Sequence, residues 1–243
     1  MQKIILITGT RKGIGMQLSK HYLTLGHIVC GCSRGASSIN HANYRHFELD
    51  VSDEEKVVSM IRTVRREFSR IDILLNNAGI ASMNHVLTTP YKSINNIFST
   101  NVYGTFLFTR EVAKVMSNIY KKKYKNTKTI PFRIINFSTV ATPLRLEGEA
   151  AYAASKAALV NLTQVCAKEL SEFGITVNAI GPTPIPTDLI KNIPQNKLED
   201  LLNKQAIKRF GDFKDVLNVI DFFLDEKSDF VTGQVIYLGG ING

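Results

Sequence analysis

Short apolar runs alternate with polar, helix-periodic stretches from the first residues of the chain. This is the pattern of a parallel sheet covered by helices on both faces, an α/β fold of doubly wound, Rossmann type. Ile4–Thr8 reads as a buried first strand, followed by Gly9-Thr-Arg-Lys-Gly13-Ile-Gly15 and a helical stretch to about Leu25. Ile28–Ser33 is the second strand and His46–Leu49 the third, which ends at Asp50-Val51. A charged helix over Asp53–Phe68 precedes a fourth strand, Ile71–Leu75, running into Asn76-Asn77-Ala78-Gly79. A long helix from about Ser99 to Lys121 sets Phe106, Thr109, Ala113 and Met116 near helical spacing. Arg133–Phe137 is the fifth strand, Glu149–Phe173 a helix, Ile175–Ile180 the sixth strand and Gln234–Leu238 the last. Pro182–Arg209 mixes prolines, polar residues and short apolar groups, which suits a substrate-covering segment with its lid at about 184–209. No repeat divides the chain, and 243 residues suit one α/β domain.

Tyr152-Ala-Ala-Ser-Lys156 lies on the expected helix Glu149–Phe173 and places a phenol and an ammonium four residues apart, on one face. A phenol, with a pKa of about 10, is a poor proton donor or acceptor near neutrality. A cation roughly 4–5 Å away, at an effective dielectric of about 20, stabilises the phenolate by roughly 3–4 kcal/mol. The expectation is a tyrosine whose pKa is depressed by about two units into a range useful for acid–base work. By itself this spacing also fits two solvated side chains.

Gly9-x-x-x-Gly13-x-Gly15 falls between a strand and a helix, the context in which glycines let a backbone approach a pyrophosphate. The free amides of the helix start, around Gly13, Ile14 and Gly15, then bind the anion. The nature of the nucleotide follows from charge. A site for the unphosphorylated dinucleotide ends its second strand with an acidic residue. Here the strand ends at Ser33 and is followed by Arg34, and the glycine turn adds Arg11 and Lys12. Such groups pair with a 2′-phosphate that a carboxylate would repel. The expected cofactor is NADP(H), with Arg34 and Lys12 foremost and Arg11 turned toward solvent.

Composition narrows the partners. The net charge is +9, but no helix-turn-helix, zinc or aromatic-basic signature accompanies it, so nucleic acid is not expected. An anionic cofactor and an acidic substrate or partner account for the sign through steering. Part of the excess is the run Lys121–Lys125, with Lys128 following, most simply a solvated helix end. Three cysteines and five histidines show no ligand spacing, so no metal is expected, and Cys30, Cys32 and Cys166 read as reduced core thiols. No apolar stretch approaches the ~18 residues of a membrane span. Ile4–Ile7 is too short for a signal-peptide core, which points to a cytoplasmic protein.

Taken in order, these segments resemble the short-chain dehydrogenase/reductase family over essentially the whole chain. The motifs are Thr8-Gly-Thr-Arg-Lys-Gly-Ile-Gly15, Asn76-Asn-Ala-Gly79, Thr100-Asn-Val-Tyr-Gly104, Asn136-Phe-Ser-Thr139, Tyr152-x-x-x-Lys156 and Pro182 through Thr187. The resemblance implies a catalytic set of Asn101, Thr139, Tyr152 and Lys156. Tyr152 would donate the proton to a carbonyl. Lys156 would bind the nicotinamide ribose and depress the phenol, and Asn101 would hold a helix kink and a water in a proton relay. Asp50 and Val51 would contact adenine, Asn77, Ala78 and Gly79 the ribose side, and Ile185 and Thr187, beyond Pro182, the nicotinamide carboxamide. Relatives pair through the helices at Ser99–Lys121 and Glu149–Phe173, so a homotetramer, or a dimer, is implied.

Two positions depart from the family pattern. The residue thirteen before the tyrosine, usually serine, is Thr139, with Ser138 one step earlier. Threonine keeps the hydroxyl, and one step along a strand reverses a side chain, so Thr139 is preferred to Ser138. Thr183 stands where relatives often carry glycine. Within the family the chain resembles 3-oxoacyl-acyl-carrier-protein reductases, whose acidic carrier the lysine run could receive. The connection from Asn101 to Thr139 is longer than usual in that group, with extra residues around 126–132. Reduction or dehydrogenation of a small ketone, sugar or polyol fits the residues equally, and a non-catalytic NADP-binding sensor or scaffold is the alternative of another class.

Overall fold

A computed structural model describes residues 2–127, 129–185 and 195–241. Seven parallel strands form one sheet: β1 (Ile4–Thr8), β2 (Ile28–Ser33), β3 (Tyr44–Glu48), β4 (Ile73–Asn76), β5 (Phe132–Phe137), β6 (Ile175–Gly181) and β7 (Val235–Tyr237). Their order is β3-β2-β1-β4-β5-β6-β7, so the chain winds outward from β1 in one direction and then from β4 in the other. The crevice where this reversal occurs, at the carboxyl ends of β1 and β4, is where open α/β sheets bind ligands.

Alternation along each strand builds two separate cores. Ile4 and Leu6 of β1, Cys30 and Cys32 of β2, Leu74, Ile134 and Val177 face one side. They pack on α2 (Glu54–Phe68), α4 (Gly104–Lys123) and α6 (Ala150–Leu170) through residues such as Val57, Met60, Phe108, Val112 and Cys166. Ile5, Ile7, Val29, Leu75 and Ile135 face the other side, against Leu18 and Tyr22 of α1 (Gly13–Thr24) and Val216, Ile220 and Phe223 of α8 (Phe213–Leu224). Burial on both faces explains why the strands are nearly continuous apolar runs. Each such side chain contributes roughly 1.5–3 kcal/mol of transfer free energy. The three cysteines are free and buried, and burial holds the Cys30 and Cys32 thiols up at about 12.

Several boundaries differ from the sequence expectation. The third strand is Tyr44–Glu48 rather than His46–Leu49, and the fourth is Ile73–Asn76 rather than Ile71–Leu75. The helix expected from Ser99 is preceded by α3 (Tyr91–Phe98), and a π-helical turn over Ser99–Tyr103 joins α3 to α4. Phe106 is 49% exposed, whereas Thr109, Ala113 and Met116 are buried as expected, alongside Thr105, Phe108 and Val112. The helix α8 has no counterpart in the sequence reading. Its signals are nevertheless local: an Asp212–Asp215 capping box and buried residues at 216, 220 and 223.

Candidate active site

The carboxyl ends of β1, β2, β4, β5 and β6 open on one cleft of about 1120 Å³. At its nucleotide end the turn after β1 is drawn tight. Gly9 adopts a φ of +76°, the left-handed region that favours glycine. A Cβ at Gly15 would lie 2.3 Å from the Gly9 carbonyl oxygen and 2.5 Å from Asn77 Nδ2, so α1 can start here only on a residue without one. Asn77 Nδ2 donates to Thr8 O at 2.9 Å, and the Ala78 amide donates to Thr8 Oγ1 at 2.9 Å. The loops after β1 and β4 are thereby stitched into one wall. Gly9, Gly13, Ile14, Asn77, Ala78 and Gly79 line the cleft, whereas Gly15 lies beneath it.

At the end expected to take adenosine, Ser33, Arg34, Asp50 and Val51 line the cleft, together with Arg11 and Lys12. Arg11 is exposed as expected, yet its guanidinium folds back over the turn that follows β2. A Cβ at Gly35 would lie 3.1 Å from Arg11 Nη1. Arg11 therefore lies against the turn that carries Arg34, a juxtaposition that sequence order conceals. A tight glycine turn, a helix start and two guanidinium groups at the far end are a fitting cradle for a phosphorylated dinucleotide.

The other end of the cleft holds Tyr152 and Lys156, both buried, on successive turns of α6. The Thr139 hydroxyl lies close enough to the Tyr152 phenol to favour its ionised form. Thr139 Oγ1 accepts from the Ala141 amide at 3.3 Å. Burial pushes the phenol up to about 12, the Thr139 hydroxyl offsets part of that rise, and the Glu149 carboxylate adds to it. Burial likewise lowers Lys156 to about 8. The expected depression of the phenol by its lysine neighbour does not occur. Lys156 Nζ is drawn instead to the Phe137 carbonyl, to which it donates at 2.6 Å, and desolvation outweighs what remains of the attraction.

Ser138 and Thr139 both line the cleft but have different partners. Ser138 Oγ reaches the Lys156 carbonyl at 3.5 Å and lies near the Tyr237 phenol, while Thr139 takes the Tyr152 side. Asn101 is fully buried in the π-helical turn and is not part of the wall. Its amide donates to Ile80 O and Ser155 Oγ, both at 3.0 Å, and accepts from the Ile80 amide at 2.9 Å. A Cβ at Gly79 would lie 3.3 Å from Lys156 Nζ and 3.4 Å from Asn101 Oδ1, so the two groups converge on Gly79, Lys156 from the cleft and Asn101 from behind its wall.

Pro182 and Ile185 line the cleft, and Thr187 lies outside the described residues. Thr183 is accommodated because its neighbours are glycines: a Cβ at Gly211 would lie 2.8 Å from Thr183 Oγ1, and one at Gly239 2.9 Å from its methyl. Much of the lid segment, residues 186–194, is also outside the description, but α7 (Gln195–Lys204) follows and brings Leu198, Leu201 and Lys204 to the cleft. Leu198 is among the apolar residues expected of the lid, whereas sequence reasoning missed Leu201 and Lys204, and with them Met83, Arg145, Glu149 and the Phe137 carbonyl. A main-chain oxygen leaves no sequence signal, and the side chains sit in loops or on a lid helix that no motif marks. Among the described residues, no cluster of His, Cys, Asp or Glu is placed to hold a metal, and no helix is long and apolar enough to cross a membrane.

Comparison with known proteins agrees with this geometry. The family model described as Enoyl-(Acyl carrier protein) reductase matches residues 9–241. The 3-oxoacyl-[acyl-carrier-protein] reductase FabG of Escherichia coli (strain K12) is 30% identical over 98% of this chain and 96% of that protein. FabG of Buchnera aphidicola subsp. Schizaphis graminum is 31% identical with the same coverage. Among solved structures, ElxO with NADP bound is 30% identical with a TM-score of 0.85, covering 98% of this chain and 97% of that one. NAD+-bound xylitol dehydrogenase is 26% identical with a TM-score of 0.85, covering 98% of each chain. An oxidoreductase acting on C=O and CH–OH groups is the activity common to this geometry and these relatives. The doubly wound sheet, the glycine cradle and the Thr139–Tyr152–Lys156 cluster at its far end are features of one lineage, and the chain belongs to the short-chain dehydrogenase/reductase family.

Proposed function

We propose that the protein reduces a carbonyl to an alcohol with NADPH, and that the carbonyl is the 3-oxo group of an acyl thioester on an acyl carrier protein. The observation that carries this reading is the meeting of the Tyr152 and Thr139 hydroxyls at the floor of a cleft whose opposite end is a glycine cradle. When bound, NADPH supplies the hydride. Tyr152 gives its proton to the oxygen as negative charge develops there, and Thr139 donates a hydrogen bond to the same oxygen. A phenol held up at about 12 is fully protonated at neutral pH, the state an acid requires. Lys156, in the cleft, and Asn101, behind its wall, replenish and orient that proton. Burial of the cluster strengthens each of these interactions.

Thioester reduction is supported by the FabG relatives and by apolar side chains on the substrate side, among them Met83, Leu146, Ile185, Leu198 and Leu201. NADP(H) is supported by Arg11 and Arg34 and by the NADP-bound ElxO neighbour. The net charge of +9 suits an acidic carrier. The lysine run is poorly placed to deliver a substrate to its own protomer. It ends α4, which starts beside Asn101 and rises about 30 Å over its 20 residues. Residues 184–209 serve as the lid, and the whole chain acts as one domain. We also assign the exposed Tyr103, Phe106 and Val165 of the π turn, α4 and α6 to contacts between subunits of a dimer or homotetramer.

A small ketone, sugar or polyol is the second reading, favoured by the polar rim of Arg145, Glu147 and Asp200 and by the xylitol dehydrogenase likeness. Following NADPH oxidation with acetoacetyl thioesters, small ketones and sugar derivatives separates the two. Thioester turnover with silent small ketones and sugar derivatives is expected. The reverse pattern replaces the first reading by the second, and cofactor binding without turnover on any substrate overturns both.

A further inference from the structure

Thr10, Tyr44 and His46 lie beneath the adenosine end of the cleft and have no part in the chemistry above. Thr10 belongs to the glycine turn and is fully buried, its hydroxyl reaching Cys32 O at 3.4 Å. The Tyr44 hydroxyl donates to Thr10 Oγ1 at 2.9 Å and stands 3.1 Å from His46 Nδ1. On the far side of the imidazole, Nε2 is 2.9 Å from Gly35 O and 3.2 Å from Ser33 Oγ, and the Ser33 hydroxyl donates to the same carbonyl at 2.7 Å. A carbonyl oxygen only accepts, so Nε2 carries a proton and donates it to Gly35. Room for this chain of hydrogen bonds comes from Gly31, where a Cβ would lie 2.4 Å from the Tyr44 hydroxyl and 2.6 Å from Thr10 Oγ1.

The chain ties together the two loops that carry the guanidinium groups. Thr10 precedes Arg11, Gly35 follows Arg34, and Arg11 itself lies over Gly35. A guanidinium is a rigid fork, so two of them share one phosphate only when their loops are held at a fixed separation. We propose that His46 is a specificity-determining positioning residue: by holding the Gly35 carbonyl it sets the Arg34 turn where Arg11 and Arg34 both grip the phosphate on the adenosine ribose. This rests on the NADP(H) reading above. Without His46 the turn keeps its residues but loses its anchor, and the loss falls on the phosphorylated cofactor, because NADH has no group for the two forks to grip.

The test compares the KM ratio of NADPH to NADH in the wild-type enzyme, His46→Leu, His46→Asn, His46→Gln and Arg34→Asp, with thermal midpoints as a folding check. Leucine removes the bond to Gly35 and the imidazole's contact with Tyr44, asparagine reaches toward Tyr44 but not Gly35, and glutamine extends an amide N–H to the position of Nε2. The ratio is expected to rise roughly three- to tenfold in the leucine and asparagine variants, the weight of one hydrogen bond, with kcat at saturating NADPH little changed. Glutamine is expected to restore most of the wild-type ratio. Should the leucine variant fail to fold, the asparagine variant decides alone. An unchanged ratio in the folded His46 variants, with Arg34→Asp still shifting it, overturns the inference and leaves the NADP(H) reading standing. A parallel rise of both KM values also overturns it, since His46 would then support the adenosine site without discriminating. If Arg34→Asp leaves the ratio unmoved, the NADP(H) reading fails and this inference with it.

Discussion

Lys156 is joined to Phe137 by a 2.6 Å hydrogen bond from its ammonium to a main-chain carbonyl, although the residues are 19 apart in sequence. The bond orients the lysine but does not repay its desolvation, and its pKa falls from 10.5 to about 8. A lysine with a lower pKa in the folded chain takes up a proton on unfolding, so stability rises with pH between about 8 and 10.5. Below 8 the full cost of the buried charge is present, and above 10.5 it has vanished.

Lys156→Met removes that cost. At pH 7 the variant should be more stable by about 1–2 kcal/mol, the relief of roughly 3 kcal/mol being offset by an unpaired Phe137 carbonyl. Near pH 10.5 the advantage should disappear, while activity is lost at every pH. Urea denaturation at both pH values checks this. Equal stability differences at the two would mean that the lysine is not charged and buried together.

Thr139→Val should lower kcat about a hundredfold, the loss typical of one hydrogen-bond donor to a developing oxyanion. Ser138→Ala should change it only a few-fold, because its partners are the Lys156 carbonyl and Tyr237. Tyr152→Phe should cost about 10²–10⁴ in kcat while sparing cofactor affinity. Steady-state kinetics on the three variants suffices. Activity abolished by Ser138→Ala and retained in Thr139→Val would reverse the two roles.

Arg34→Asp should raise the KM for NADPH about ten- to a hundredfold relative to that for NADH, since it removes a charge-assisted bond and adds repulsion. Arg11→Ala should act in the same direction more weakly, because its guanidinium shares that turn. An Arg11 effect of equal size on both cofactors would place it outside the phosphate site.

Gly15→Ala should destabilise the fold by about 1–3 kcal/mol, because its methyl would overlap the Gly9 carbonyl and Asn77 Nδ2. The KM should rise for both cofactors alike, since the turn binds what they share. Wild-type stability in this variant would show that α1 can shift without disturbing the cradle.

The amino-acid sequence alone determined the features that depend on near neighbours. Five consecutive apolar or β-branched residues before Gly9 make a strand with two buried faces, and a four-residue spacing puts Tyr152 and Lys156 on one face of a helix. The positive charges of Arg11, Lys12 and Arg34 were likewise legible, as residue types beside a phosphate turn. Tertiary structure alone decided where those groups point and how they titrate. The exposed side of Phe106, the withdrawal of Lys156 to Phe137, the partition of Ser138 and Thr139, and the Thr10–Tyr44–His46 chain all depend on residues brought together from different elements. Periodicity specifies a face, but burial and hydrogen-bond partners are properties of whatever that face meets, and that is fixed only when the sheet closes around it.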